Sequence, residues 1–173
     1  TRITRDEHRN IISIADPTGK TTGPFSYNQY GQIQTASQSV DGEVIQSQYV
    51  YYEDGETGAR RLKKQLHDNQ VISTYTYDEK GRVKTITGPN GLTTTLEYNN
   101  INSVTRVTAE DGRFTETHYS SCCPRIKDSI TDRSGRSVFY TYDAAKRLIS
   151  VERPGNSLIR FEYDPKGNMI AFV

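Results

Sequence analysis

The residues best suited to chemistry in this chain are Cys122 and Cys123, which are adjacent and are its only cysteines. Adjacent cysteines can close a vicinal disulfide, which requires a strained peptide unit. Such a ring would stiffen a loop or present a flat apolar surface to a ligand such as a sugar, whereas the alternative is a pair of ordinary thiols. Because an extracytoplasmic setting would favour oxidation, we predict a vicinal disulfide at Cys122 and Cys123.

His118 is the nearest candidate for a catalytic partner, because it lies four residues before Cys122. A cysteine nucleophile needs a base within hydrogen-bond reach and a third group that holds the base. On a strand, His118 and Tyr119 point to opposite faces, which places His118 poorly for that role. Two sulfurs alone do not form a zinc site, and the acidic residues lack the spacing of a calcium loop. We therefore predict no catalytic, cofactor-binding or metal-binding residue, no cofactor and no enzyme activity.

The element that must position these residues is a repeat marked by tyrosine. Seven tyrosines recur at intervals of 24, 26, 21, 21, 23 and 21 residues: Tyr27, Tyr51, Tyr77, Tyr98, Tyr119, Tyr142 and Tyr163. Two residues before each lies another large or β-branched side chain, such as Phe25, and a two-residue step keeps both on one face of a strand. A period of ~20 to 50 residues is typical of repeat architectures. We expect the tyrosines to form mostly buried columns in the core of the repeat.

Each tyrosine is followed by a turn and then by two apolar residues. In one unit, Asp78 can fold back as an Asx turn, and Gly81 can adopt the positive φ of a tight turn. Lys146 occupies the position of that glycine in a later unit and fits it less easily. The two apolar residues, here Val83 and Ile86, are three positions apart. This spacing predicts either a β-bulge or partial cover of both faces of the sheet.

A second turn closes each unit and makes each unit a hairpin. These turns have strong hairpin signals, as in Asp41-Gly42, Asp68-Asn69 and Asp111-Gly112. Strands are therefore expected near residues 10–14, 21–27, 32–37, 44–52, 61–67, 70–77, 82–87, 92–98, 103–108, 113–119, 125–131, 136–142, 147–152 and 157–163. No helical period is visible, and hydrophobic residues make up only 33 % of the chain, which suits strands with one wet face. The predicted fold is all-β, with repeated hairpins stacked in a twisted, curved antiparallel sheet.

Several units resemble the tyrosine-aspartate repeats of the RHS/YD-repeat family. The segments that carry the resemblance are Tyr77-Asp78-Glu79-Lys80-Gly81-Arg82, Tyr142-Asp143-Ala144-Ala145-Lys146-Arg147 and Tyr163-Asp164-Pro165-Lys166-Gly167-Asn168. Other copies depart from the pattern: the turn after Tyr52 is expanded, the copy at Tyr98 lacks the glycine, and the copy at Tyr119 is replaced by Ser120-Ser121-Cys122-Cys123-Pro124. We expect residues 1–173 to form a single array of about eight such repeats, and to be a fragment of a longer protein.

The resemblance implies a structural role, because proteins of this family build a β-sheet shell around an exported effector. It implies a secreted or cell-surface bacterial protein, whose partners are the remainder of the same shell and its enclosed effector. Two alternatives remain open. The chain could be an adhesin-type module that binds cell-surface carbohydrate through exposed tyrosines and the Cys122–Cys123 pair, or the non-catalytic wall of a large extracellular enzyme.

Charge and hydropathy restrict the partners further. The net charge is +1, from 22 basic and 21 acidic residues, so a nucleic-acid partner is not expected. No apolar stretch is long enough for a membrane-spanning helix. Apolar residues lie at both predicted edges of the array, and they are Ile11, Ile12 and Ile14 at the start and Met169, Ile170, Phe172 and Val173 at the end. Unpaired apolar edge strands predict edge-to-edge self-association.

Overall fold

A computed structural model of the chain describes residues 1–40 and 43–173, which contain sixteen β-strands and no helix. The chain divides into two compact units, Thr1–Thr93 and Thr94–Val173. The strands of the first unit are β1 Arg2–Arg5, β2 Ile11–Ala15, β3 Thr21–Tyr27, β4 Ile33–Val40, β5 Glu43–Tyr51, β6 Leu62–His67, β7 Gln70–Tyr77 and β8 Val83–Thr87. Those of the second are β9, which begins at the boundary (Thr93–Tyr98), β10 Val104–Thr108, β11 Phe114–Tyr119, β12 Lys127–Thr131, β13 Ser137–Tyr142, β14 Leu148–Arg153, β15 Ser157–Tyr163 and β16 Met169–Phe172.

Within each unit, every strand pairs antiparallel with the strand that precedes or follows it in the chain. Local turns suffice for this topology, because consecutive antiparallel strands need no crossover connection. The predicted fold class, all-β with repeated antiparallel hairpins, is confirmed.

A β-bulge recurs beside every tyrosine of the columns and explains the three-residue apolar spacing. Tyr77 pairs with Val83 and Tyr75 pairs with Ile86, so that Lys84 is the extra residue on its strand. The bulge brings Val83 and Ile86 to the face that carries both tyrosines. Of the two explanations that the sequence allowed, the bulge is therefore the correct one. The same shift occurs at the other six tyrosines of the columns.

The two faces of the strands differ in exposure. The tyrosines of the columns are half-buried, whereas the residue before each of them is exposed, as in Thr76, Glu97 and His118. Val151 is the only buried hydrophobic residue among those described, with 8 % of its surface exposed. Each strand contacts only its neighbours along the chain, so nothing within a unit covers the tyrosine face. The columns are for this reason half-buried and not mostly buried as predicted.

The predicted strands are all present, but the first and last strands were missed. Arg5 occupies the tyrosine position of the first hairpin repeat and pairs with Ile11 across the same kind of bulge. The early isoleucines therefore lie in β2 and are half-buried, so the expectation that they form the edge was wrong; β1 is exposed and more polar. At the other end Phe172 is exposed, as predicted, and belongs to β16. The predicted turn at Asp41-Gly42 lies outside the described residues.

Candidate functional site

The hydroxyl groups of the tyrosine columns share one kind of partner. Six of the seven donate a hydrogen bond to the backbone carbonyl oxygen of the first residue of the preceding strand. The pairs are Tyr27 with Ile11 (2.6 Å), Tyr51 with Ile33 (2.8 Å), Tyr77 with Leu62 (2.9 Å), Tyr119 with Val104 (3.0 Å), Tyr142 with Lys127 (3.0 Å) and Tyr163 with Leu148 (2.8 Å). That first residue also directly follows the previous tyrosine turn. Each bond therefore ties one tyrosine turn to the next along the edge of its unit.

The regular turns, other than the expanded turn and the cysteine turn, are closed by the acidic or amide residue after the tyrosine. In the turn at Asp78, Oδ1 accepts hydrogen bonds from the backbone N–H groups of Lys80 and Arg82, and Oδ2 accepts one from Arg82 Nε at 2.7 Å. These bonds, led by that from the Arg82 backbone, hold the pKa of Asp78 below its ordinary value of 3.8. The turn at Asp143 repeats the arrangement with Arg147. The predicted Asx turns are thus present, and a side chain four residues further on completes them.

The glycine position of these turns requires a positive φ, as predicted. Gly81 has a φ of 75° and Asn102 one of 66°. Lys146 has a φ of 66° at the same position, although it is neither glycine nor asparagine. A lysine in the left-handed region has an unfavourable backbone energy that a glycine would not have.

The expanded turn, residues 52–61, contacts the repeat on each side of it. On one side, Asp54 accepts hydrogen bonds from Arg60 Nε at 2.8 Å and from the Tyr30 hydroxyl at 2.7 Å. These two bonds, the arginine first, lower the pKa of Asp54 to about 2. On the other side, the Tyr52 ring meets the Tyr77 ring edge-on, with centroids 6.0 Å apart. The expanded turn therefore links three repeats.

The cysteine turn, residues 120–126, holds Cys122 and Cys123 as free thiols, with Cys122 exposed and Cys123 half-buried. Their sulfur atoms lie 2.8 Å apart. The Ser120 hydroxyl lies 3.3 Å from the sulfur of Cys122, and Lys146 Nζ donates to the same sulfur at 3.2 Å. The hydrogen bond with Cys123, followed by those with Ser120 and Lys146, lowers the pKa of Cys122 from its ordinary value of 9.0 to about 7. The vicinal disulfide itself stays a prediction.

Lys146 is the one member of this cluster that the sequence reasoning did not connect with the cysteines. The signal was its position, because Gly31, Gly81, Asn102 and Gly167 stand there in other copies of the turn, although Arg9 also holds it in the first copy, with a φ of 67°. His118, in contrast, lies 3.5 Å from Glu116 Oε2 through its Nε2 atom, on the exposed face. Among residues 1–40 and 43–173, no group of His, Cys, Asp and Glu side chains is arranged to hold a metal ion.

Comparison with known families bears on the tyrosine turns. Residues 77–113, which begin at the tyrosine of one turn and include the whole of the next, match the family described as RHS Repeat. The resemblance to the RHS/YD-repeat family is confirmed. This segment contains the Asp78 turn, the bulge at Lys84 and the column tyrosine Tyr98. The matched segment therefore covers most of two successive tyrosine repeats of the structure.

Two curated relatives and two solved structures are similar to this chain over larger parts of it. The tRNA nuclease WapA of Bacillus subtilis (strain 168) and the tRNA3(Ser)-specific nuclease WapA of Bacillus spizizenii are each 29 % identical over 116 residues, which is 64 % of this chain and 4 % of the relative. The Photorhabdus luminescens Tc holotoxin pore has a TM-score of 0.53 at 14 % identity, over 99 % of this chain and 11 % of that chain. TcdB2-TccC3 without its hypervariable C-terminal region has a TM-score of 0.53 at 14 % identity, over 98 % and 11 %. These structural likenesses support the fold.

The chain thus spans a small share of the proteins that it matches. In the described residues, no helix has the length and apolar character needed to cross a membrane.

Proposed function

We propose that this chain is a wall segment of an RHS-type shell that encloses or displays an exported effector. The observation that carries the proposal is the repeated bond from a tyrosine hydroxyl to the first carbonyl of the preceding strand. It recurs from Tyr27 to Tyr163 with donor–acceptor distances of 2.6 to 3.0 Å. A bond that joins successive turns and recurs along the chain is what a continuous wall requires. A binding site would instead need a local departure from this pattern.

The energetics of these bonds also suit a wall. A hydrogen bond of this kind contributes about 1 kcal/mol to stability, and the cost of an unpaired carbonyl adds to the loss when the donor is removed. Stability in stacked repeats is the sum of such nearest-neighbour terms. A series of ties along one edge therefore stiffens the stack without a thick core. The segment acts mechanically under this proposal and has no catalytic role.

The wider context of the proposal comes from the relatives. The chain corresponds to about 4 % of the WapA proteins and about 11 % of the Tc toxin chains, so its partners would be further repeats of the same shell and the effector inside it. Such a shell would belong to a secreted or cell-surface protein. The shape and cargo of the complete shell are part of this proposal.

The direct test is electron cryo-microscopy of the complete translation product that carries this chain. We expect a closed or cup-shaped β-sheet shell in which these hairpins form part of the wall, with additional density inside. A limited-proteolysis experiment on the same particles should show protection of the enclosed segment. An extended particle without an enclosed volume, or an effector as sensitive to protease as a free one, would contradict the proposal.

Carbohydrate binding is a second candidate, favoured by one concave surface. A cavity of about 760 Å³ lies between β3 and β5, and it is lined by tyrosines, glutamines and Asp54. Two of the five tyrosine rings that line it already contact cations, however. Arg60 lies 4.4 Å from the centroid of Tyr30, and Lys63 lies 4.7 Å from that of Tyr52. Because sugars stack on free ring faces, these cations leave less aromatic surface for them. Binding on a glycan array that is lost in Tyr30→Ala would support this candidate over the wall.

A further inference from the structure

Two departures from the repeat meet at one point of the second unit. Cys122 and Cys123 replace the usual turn after Tyr119, and Lys146 replaces the glycine of the next tyrosine turn. The two positions are 24 residues apart in the chain, yet Lys146 Nζ lies 3.2 Å from the sulfur of Cys122. Arg9 also holds this turn position, with a φ of 67°, so the feature that distinguishes Lys146 is its contact with the cysteine sulfur.

The backbone of Lys146 strengthens this argument. Its φ of 66° is one that a lysine adopts at a cost and a glycine without one. The turns at Gly31, Gly81 and Gly167 show that glycine serves this position, with φ values of 74°, 75° and 89°. The turn itself therefore does not require a lysine. Its side chain supplies what a glycine cannot, which is a cation beside a sulfur atom.

We propose that Cys122 is a reactive thiol that exchanges with disulfides, with Cys123 as the resolving thiol and Lys146 as a positioning residue that stabilises the thiolate. Cys122 is exposed and can meet a disulfide from solvent, whereas Cys123 is half-buried, with its sulfur 2.8 Å from that of Cys122. The substrate class is a disulfide, either a small one or one on a protein surface. The proposal does not depend on the shell function.

The exchange proceeds in two steps that balance. The Cys122 thiolate attacks one sulfur of the incoming disulfide, forms a mixed disulfide with it and releases the other half as a thiolate. The Cys123 thiol then loses its proton to solvent and attacks the sulfur of Cys122. This second step closes the vicinal disulfide and releases the remaining half as a thiolate. The protein loses two electrons and two protons, and the incoming disulfide is reduced.

The electrostatics favour Cys122 as the residue that reacts first. Thiolates are the attacking species in such exchange, and a pKa near the ambient pH gives the best compromise between the thiolate fraction and nucleophilicity. The hydrogen bond between Cys122 and Cys123 makes the largest contribution to lowering the pKa of Cys122, and the contacts with Ser120 and Lys146 add to it, to give about 7. The contact with this sulfur in turn raises the pKa of Lys146, which keeps the ammonium charged.

The first experiment measures the stoichiometry of exchange with the aromatic disulfide dithiobis(nitrobenzoate) on the full, reduced chain. We expect two aryl thiolates released per chain and a product that is lighter by two hydrogens in intact-mass measurement. The variant Cys123→Ser should release one and keep an aryl group on Cys122. A parent chain that retains an aryl group, or a Cys122→Ser variant that reacts as fast as the parent, would overturn the proposal.

The second experiment isolates Lys146. In Lys146→Gly, which relieves the backbone and should fold, we expect the rate at pH 7 to fall on the order of fivefold and the midpoint of the pH–rate profile to rise. Lys146→Arg should restore the midpoint, because it restores the cation. Lys166→Ala, an exposed lysine in the following turn, is the matched control and should leave the profile unchanged. An unaltered midpoint in Lys146→Gly would remove Lys146 from the proposal and overturn it in this form.

Discussion

The expanded turn at residues 52–61 and the cysteine turn at residues 120–126 both depart from the repeat, but they differ in how they are held. The expanded turn contacts the turn before it through Asp54 and Tyr30, and the strand after it through Tyr52, whose hydroxyl donates to the Tyr75 carbonyl at 2.8 Å. The cysteine turn meets the following turn through Lys146 and the sulfur of Cys122. The first turn is braced by ion pairs and rings, and the second by a titratable and oxidisable atom.

This difference shows that a turn at the edge of the sheet can depart from the repeat in two ways. Turns at the edge of a stacked sheet can lengthen or change without disturbing the strand ladder, since the ladder is made by the strands alone. Extra residues then either add contacts to neighbouring repeats or present a reactive group. The expanded turn follows the first course, and the cysteine turn the second.

The largest effect that would test the comparison comes from the two tyrosines beside these turns. Tyr77 packs against the Tyr52 ring and lies 5.7 Å from the Arg61 guanidinium carbon, in addition to its bond to Leu62. We expect Tyr77→Ala to lower the free energy of unfolding by about 3 kcal/mol. Tyr119→Ala, beside the cysteine turn, should cost about 2 kcal/mol, because that tyrosine lacks the second ring. Urea denaturation of both variants measures the difference, and equal losses would break the comparison.

The next effect is confined to the expanded turn and has a control within it. Gly55 and Gly58 both have a φ of 91°, but a Cβ on Gly58 would lie 2.8 Å from a ring carbon of Tyr77, whereas one on Gly55 would meet nothing. Both alanine variants carry the backbone cost of about 1 kcal/mol. Gly58→Ala should lose about 1 to 3 kcal/mol more, through overpacking against the ring. Thermal or urea denaturation of both variants measures the difference in stability. Equal losses for the two alanine variants would mean that the turn is loosely held against Tyr77.

A smaller effect of the opposite sign is expected in the tyrosine turn that faces the cysteines. Lys146→Gly removes a lysine from the left-handed region and should raise the stability by about 1 kcal/mol. Gly81→Lys, in a regular turn, is the reverse substitution and should lower it. A destabilised Lys146→Gly variant would mean that the contact with Cys122 outweighs the backbone strain.

The smallest expected effects are on the pH dependence of stability, which should differ between the two turns. The pKa of Asp54 is lowered from 3.8 to about 2, so its contribution to stability is complete above pH 3.8 and is lost as the pH falls towards 2. The pKa of Cys122 is lowered from 9.0 to about 7, so in the reduced chain its contribution is complete above pH 9 and is lost as the pH falls through 7. Melting temperatures across pH should flatten in the acid window for Asp54→Asn and in the neutral window for Cys122→Ser. A variant that altered the other window would contradict this assignment.

The regular parts of the fold could be predicted because their signals are local. Tyrosine spacing, Asx residues and glycine positions each act within a few residues, so the hairpins and their turns follow directly from the chain. The sequence indicated a partial first repeat with Arg5 in the tyrosine position, but not its strand, and the pairing of Arg5 with Ile11 shows that this repeat is complete. The bulge was one of two alternatives, since a three-residue spacing alone does not choose between them.

The candidate site was harder to predict, because it depends on distances across a whole repeat. That Lys146 meets Cys122 follows from the alignment of successive turns along one edge, which requires the register of the strands between them. The carbonyl acceptors of the tyrosines were not foreseen for a similar reason. A side chain at the end of one strand reaches the start of its neighbour only once the bulge has set their offset. Lys146 at the glycine position of its turn was the local feature of the sequence that pointed to this contact.

The tyrosine bond has a consequence for how such chains change in evolution. Its acceptor is a backbone carbonyl, and the residues that provide it range from Ile11 and Val104 to Lys127. Any residue can present that oxygen, so the hydrogen bond of a tyrosine does not depend on the side chains of the hairpin that precedes it. Gene duplication, deletion or recombination of whole repeats would leave each new junction with a competent donor and acceptor. A chain built in this way can gain or lose length in steps of one repeat while its turns diverge.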